Sequence, residues 1–303
     1  MTELVPHHRR DRYVLLRPLG RGGTAEAWLA RREGGMFVEE VCVKRPLRYL
    51  NLTERRALLE EARVLSRIRH CNVVALLDAL EDNAGGIFLV LELVRGMDLR
   101  ALTRTLWKTE SPVPAAVVAT IGTCLCRALA AAQRAVAPGI VHRDVTPHNV
   151  LISREGEVKL ADFGVARAFD RGTWTRAGVV KGKLGFLSPE QLRGDKLDVR
   201  SDLFAVGLIL CELLLHRKMS SDPDVDLSLR VGEQLRLLAL DRRSLPLGLL
   251  DAVRALLALD RSQRPASADA AARMLSLFTD EQRSIEQLRM LVLEAGASAR
   301  MPL

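Results

Sequence analysis

The stretch HRDVTPHN, residues 142–149, decides how the rest of the chain is read. It follows a long apolar helical segment and precedes a short strand-like run, VLIS, so it reads as a loop. Two of its side chains, Asp144 and Asn149, carry oxygens suited to a hard cation or a hydroxyl proton. Beyond a second short strand, DFG at 162–164 adds Asp162. An Asp and an Asn able to share a metal, with a further Asp to orient a hydroxyl, is the set that Mg2+-dependent phosphoryl transfer requires. Each residue alone would read as a turn or a cap. In this order and at these spacings they read as one constellation.

Upstream of the loop the chain alternates in the manner of strands. RYVLLRPLG is apolar and stops at Gly20, and TAEAWLARRE and MFVEEVCVKRP read as a hairpin joined at Gly34-Gly35. TERRALLEEARVLSRIRH (53–70) reads as a helix with Thr53 as N-cap and Leu58, Ala62, Leu65 and Ile68 on its inward face. NVVALLDALED and GGIFLVLEL then read as two more strands. After Gly96 the character changes. PAAVVATIGTCLCRALAAAQRA is a long helix of small residues with Pro114 at its start, and helices dominate from 190 onward. The layout is a small β-rich lobe, a connection near 92–98, and a larger helical lobe.

Two motifs in the first lobe bear on phosphate chemistry. GRGGTAEA (20–27) is a glycine-rich turn between strands, where backbone N–H groups can approach phosphates, although many such turns are only turns. In VCVK (41–44), alternation puts Lys44 on the same face as Cys42. Lys44 is either a solvated strand lysine or a cation for phosphates, and in the second case it needs an acidic partner. Glu61, on the inward side of the helix between Leu58 and Leu65, is the first candidate, with Glu60 second.

Composition bounds the alternatives. With 303 residues and 48% hydrophobic content, the chain has material for a substantial core. Its net charge of +8 raises the question of nucleic acid, but the arginines are dispersed and only 4% of residues are aromatic, so no stacking platform is expected. The five cysteines are scattered, and the one close pair, CLC, lacks a zinc or redox spacing. Reduced thiols in a cytoplasmic protein fit best. No signal peptide or membrane span is expected, since runs such as LFAVGLILCELLL (203–215) are too short to cross a bilayer.

These motifs together resemble the eukaryotic-like protein kinase family, and HRDVTPHNV with KGKLGFLSPEQL is most similar to bacterial serine/threonine members. The resemblance covers residues 13–278, as a β-rich N-lobe (13–94) and a helical C-lobe (95–278), with an extension at 1–12 and a helical tail at 279–303. It implies an α+β, two-lobed kinase-like fold and the transfer of the γ-phosphoryl group of ATP to Ser or Thr hydroxyls of protein substrates, with ATP and Mg2+ required. By motif, Gly20 and Gly22 would lie over the ATP phosphates, and Lys44, paired with Glu61, would hold the α- and β-phosphates. Glu92 and Val94 would form the adenine hinge through their backbones, Asp98 would contact the ribose, and Leu151 would also bind nucleotide. Asp144 would orient the acceptor hydroxyl, and Asn149 and Asp162 would bind Mg2+. The resemblance further implies that Asp202 of RSDLFAVG holds the catalytic loop, that Arg264 pairs with Glu190, and that Leu65, Leu76, His142 and Phe163 stack between the lobes.

The chain departs from the family pattern at Ala25, Ala27, Cys42 and Thr146. Thr146 stands where a phosphate-contacting lysine is usual, and Lys183 of GK stands where the family has threonine. The resemblance implies an exchange of the two residue types between segments that meet in space, with Lys183 supplying the charge and Thr146 a hydroxyl for Asp144 or the crossing backbone. Two unrelated changes would look the same. Thr173 and Thr175 of RGTWTRAG are the candidate autophosphorylation sites, with Arg143 placed to meet the phosphate. The competing function is a pseudokinase scaffold, for which the altered glycine loop argues and the complete set Lys44, Glu61, Asp144, Asn149 and Asp162 argues against. MSSDPDVDLSLR (219–230) reads as loop, and the tail as an amphipathic helix that packs on the helical lobe through Ile285, Leu288 and Leu291.

Overall fold

The computed structural model describes residues 2–4, 12–22, 25–34, 37–47, 50–81, 86–135, 139–163, 184–218, 225–240 and 245–298. These form two compact units. One comprises the described residues up to Arg69 together with Val74–Leu93, and the other His70–Val73 and the described residues from Val94 onward.

The first unit is a six-stranded sheet with one helix. Its elements are β1 (Thr2–Leu4), β2 (Arg12–Arg21), β3 (Ala25–Gly34), β4 (Phe37–Pro46), α1 (Leu52–Leu65), β5 (Leu76–Glu81) and β6 (Ile87–Glu92). Strand order is β1-β2-β3-β4-β6-β5, every neighbour antiparallel. The period-2 pattern of β4 sorts its side chains by face: Val41 and Val43 enter a core with Tyr13, Leu15, Ala30, Leu80, Phe88 and Val90. Cys42 and Lys44 therefore take the other face and stay half-buried. The extension expected at 1–12 is in part sheet, because Thr2–Leu4 pairs with Tyr13–Leu15 of β2.

The cap of α1 also differs from expectation. Asn51, not Thr53, is the N-cap: its side chain accepts the Glu54 N–H at 3.0 Å while the Glu54 carboxylate accepts the Asn51 N–H at 3.0 Å. A reciprocal cap needs Glu or Gln three residues on. Asn51 finds Glu54 there, whereas Thr53 would find Arg56. The helix ends at Leu65, before the expected His70, and Ala62, Leu65 and Ile68 are buried as expected, with Leu58 half-buried.

The second unit joins a small sheet, β7 (Gly96–Asp98), β8 (Val150–Ser153) and β9 (Val158–Leu160), to the helices α2 (Leu99–Lys108), α3 (Ala115–Ala135), α4 (Pro189–Arg193), α5 (Val199–Leu214), α6 (Leu227–Leu240), α7 (Leu249–Leu256), α8 (Ala268–Ser276) and α9 (Glu281–Ser298). His70–Val73 belongs here because Asn72 donates to Val158 O at 2.8 Å and accepts from Leu160 N at 2.8 Å. α3 is long and apolar enough to cross a membrane, a length the reading of 203–215 overlooked, but it is mostly buried inside this unit. Its small residues explain how. A Cβ on Gly122 would come within 2.9 Å of both Leu210 of α5 and Leu275 of α8, so glycine lets three helices meet.

Two further expectations are corrected. α6 begins at Leu227, inside the stretch read as loop, after Asp226 accepts the Ser228 N–H at 2.7 Å. The tail helix α9 does pack on α2, α3 and β8. Its buried face is Ser284, Leu288, Val292 and Ala295, whereas Ile285 is exposed and Leu291 only half-buried. The helix lies so close to the β8–β9 turn that a Cβ on Gly156, already at φ 87°, would collide with the Ile285 carbonyl.

Candidate active site

The loop 139–149 has no regular structure, so its buried backbone groups need partners elsewhere. Asp202, in the first turn of the buried helix α5, meets this need. Its Oδ2 accepts the His142 N–H at 2.7 Å and its Oδ1 the Arg143 N–H at 2.8 Å. Burial pushes the Asp202 carboxyl up to about 7, against the pull of those two amides. The clamp has a mechanical purpose. Arg143 sits at φ 67°, a left-handed conformation that a non-glycine residue holds only when its surroundings impose it.

His142 is fully buried and orders the loop from within. Its Nδ1 accepts the Asp144 N–H at 3.3 Å, and its Nε2 lies 3.0 Å from Ala161 O. An acceptor at Nδ1 and a carbonyl at Nε2 together require the neutral Nε2–H tautomer. The ring packs against Phe163 with centroids 4.5 Å apart. His142 and Phe163 thus meet, as expected; Leu65 and Leu76 lie in the first unit, buried and half-buried respectively.

Asp144 and Asn149 are brought together directly. The Asn149 side-chain amide donates to Asp144 O at 2.7 Å and to Asp144 Oδ2 at 3.1 Å. With both amide protons so engaged, the Asn149 Oδ1 is the oxygen left to face a cation. Ala161 N bonds to Asn149 O at 2.8 Å, which ties the segment carrying Asp162 to the same loop. Asp162 is itself at φ 59°, a second strained non-glycine residue in the site.

Thr146 departs from expectation. It is 3% exposed, and its hydroxyl has no hydrogen-bond partner among the described residues, Asp144 included. It lines a small pocket with Asp144, Phe186, Leu187 and Gln191. Lys183, Thr173 and Thr175 lie outside the described residues.

The supporting ion pair is in place. Arg264 donates through two nitrogens to Glu190, at 2.6 and 3.0 Å, with both side chains at most 1% exposed. Arg264 also bonds to Ala258 O and Arg200 O and lies over the Phe204 ring. A second buried pair escaped the sequence reading: Arg100 of α2 and Glu212 of α5, 3.0 Å apart, with Arg100 against the rings of Trp107 and Phe186. The available signal was α2 itself, whose Leu99, Leu102 and Leu106 have helical spacing behind the N-cap Asp98.

The nucleotide candidates fall on both units. In the first, Gly20 is exposed in β2 with open space around its Cβ position, and Gly22 N donates to Ala25 O at 2.8 Å. Lys44 is half-buried on β4 opposite Ala27, and Glu61 is 6% exposed on α1. Glu60 instead pairs with Arg63 at the surface. Glu92 engages Ala75 twice, through its backbone N at 3.0 Å and its side chain at 2.8 Å. In the second unit Val94 is half-buried, Leu151 pairs with Lys159 and Asp98, and Asp98 caps α2 by accepting the Ala101 N–H at 2.8 Å.

The protein kinase domain family matches residues 13–275. The chain is 36% identical over 222 residues to the tyrosine-protein kinase MasK of Myxococcus xanthus, covering 70% of this chain and 34% of that protein. It is 37% identical over 220 residues to the serine/threonine-protein kinase PknB of Mycobacterium leprae, covering 69% and 33%. This chain thus spans about a third of the length of these relatives. The PknI kinase domain of Mycobacterium tuberculosis shares its fold, with a TM-score of 0.65 at 23% identity over 88% of this chain and 96% of that one. The chain belongs to the protein kinase family.

Proposed function

We propose that this chain is an ATP- and Mg2+-dependent protein kinase that phosphorylates serine and threonine hydroxyls of proteins. The observation that carries this reading is the Asp144–Asn149 pair, held on a strained loop that Asp202 clamps from a buried helix. A scaffold has no physical need of that arrangement. Asp144 accepts the proton of the acceptor hydroxyl as its oxygen bonds to the γ-phosphorus, the bond from that phosphorus to the bridging oxygen breaks, and ADP leaves. Asn149 keeps Asp144 in orientation. Asn149 and Asp162 are the residues that would hold Mg2+, which supplies neutralisation of phosphate charge. The all-oxygen donor set fits, since Mg2+ keeps several waters and shares its shell with phosphates. Lys44, with Glu61 as partner, and the turn at Gly20 and Gly22 serve the phosphates, and Glu92, Val94, Asp98 and Leu151 the nucleoside. Five cysteines, none of them in a disulfide, support a reducing, cytoplasmic setting.

The test is incubation with Mg2+ and γ-labelled ATP, with and without a generic acceptor protein, followed by phosphoamino-acid analysis and mapping of modified sites. Phosphoserine or phosphothreonine is expected, with Thr173 or Thr175 among the sites modified in the chain itself. Label confined to tyrosine would move the chain to the specificity that MasK's name carries.

The Thr146–Lys183 exchange belongs to the same reading. A buried hydroxyl without a partner among the described residues supports a polar neighbour arriving at Thr146. Lys183→Ala is expected to lower turnover about a hundredfold and to change ATP affinity little, as for other transition-state donors. In a cycle of Thr146→Lys, Lys183→Thr and the double exchange, the double variant should exceed the product of the single losses, whereas strict additivity ends the exchange reading.

A further inference from the structure

We infer that Gln191 is a positioning residue for Asp144, its side-chain amide holding the Arg143 carbonyl and so fixing the peptide that leads into the catalytic aspartate. The inference rests on the kinase reading. Gln191 lies in α4, next to Glu190, and is 6% exposed. Its Oε1 accepts the Ser188 N–H at 3.0 Å, as the third residue of a capping box. That bond settles which way the amide faces, so Nε2 points to Arg143 O, 3.0 Å away.

The geometry of one peptide unit gives this bond its weight. The Arg143 carbonyl and the Asp144 N–H belong to the same rigid plane, on opposite sides of a trans bond. Gln191 holds the oxygen, and His142 Nδ1 holds the hydrogen through a longer contact of 3.3 Å. Asp202 meanwhile holds the preceding N–H, that of Arg143, at 2.8 Å. The strained φ of Arg143 is therefore bracketed by a carboxylate on one side and a carboxamide on the other. Loss of the Gln191 donor would leave the plane that carries the Asp144 Cα more dependent on the longer 3.3 Å contact. A capping box alone needs only an acceptor at this position, which Glu supplies equally well. The amide donor is what the cap does not require and the loop uses.

Two variants separate positioning from stability. Gln191→Met keeps length and removes both polar functions. Gln191→Glu keeps the cap acceptor but sets a carboxylate oxygen against the Arg143 carbonyl. The pocket there also holds Asp144, Asp202 and Arg143, and Ser188 faces the new group from the cap. Both variants should lower kcat about ten- to a hundredfold while KM for ATP moves less than about twofold, as expected when a reacting group is misplaced. For Gln191→Glu the loss relative to wild type should shrink toward acid pH, as the new carboxyl protonates and regains a donor. Gln191→Met should stay parallel to wild type across pH. Thermal unfolding run alongside gives the folded fraction at the assay temperature. Unchanged kcat in both variants would overturn the inference. So would a loss that follows the folded fraction, or a Gln191→Glu profile superimposable on that of wild type. An inactive wild type would instead remove the kinase reading beneath it.

Discussion

Asp144→Asn is expected to leave the protein folded and to lower phosphoryl transfer by about a hundred- to ten-thousandfold. The range is that of a positioned general base whose loss leaves binding intact. Asn is nearly isosteric with Asp, and the donor to Asp144 O from Asn149 at 2.7 Å persists because it goes to the backbone. The 3.1 Å bond from Asn149 to Asp144 Oδ2 is the one at risk, since an amide offers one acceptor where a carboxylate offers two. ATP affinity should move little, because the candidate nucleotide residues lie elsewhere in the chain. The check is kcat for transfer to a protein acceptor, with ATP binding measured separately on the same preparation. Equal rates for wild type and variant would remove Asp144 from the chemistry.

Arg264→Ala is expected to destabilise the fold by about 3–5 kcal/mol, because it strands a buried carboxylate without its cation. Adding Glu190→Gln should recover part of that loss. The pair also sets an acid limit. Burial, the largest single influence, would push the Glu190 carboxyl up, but the bonds and charge of Arg264, with smaller help from Ser201 and a backbone amide, together outweigh it and hold it at about 2, below the ordinary 4.5. A carboxyl that ionises more readily folded than unfolded contributes stability that is fully present above the unfolded value. That contribution is lost as pH falls from about 4.5 through about 2. Urea unfolding of wild type and Arg264→Ala at stepped pH should therefore converge toward the acid end of that window. A constant gap would contradict this account of the pair.

Most of the site was legible in the sequence because phosphoryl transfer constrains residue type and spacing together. Asp144, Asn149 and Asp162 could be paired with a role before any contact was visible, and the family resemblance matched Asp202 and Arg264 to partners far along the chain. What escaped depended on local competition between similar residues. Asn51 and Thr53 are both good caps, and only Glu54 three residues on selects the first. On α9 the stripe Ile285, Leu288, Leu291 and the stripe Ser284, Leu288, Val292 share one leucine. Packing of α9 on α2, α3 and β8 buries the second, a tertiary fact absent from the helix's own pattern. The Arg100–Glu212 pair was hidden because α2 was passed over, its polar threonines masking three leucines at helical spacing. Gln191 carried no signal at all, since a capping glutamine is ordinary until Arg143 O is found beside it.

Transfer of phosphate, beyond binding of nucleotide, separates a working kinase from a scaffold. Counting labelled phosphate moved to a protein acceptor per molecule of chain, with Mg2+ and then with the metal chelated, tests it most directly. Many phosphates per chain are expected, on serine or threonine, abolished by chelation and by Asp144→Asn. A folded wild-type protein that binds ATP yet transfers no more than Asp144→Asn would contradict it and leave the scaffold.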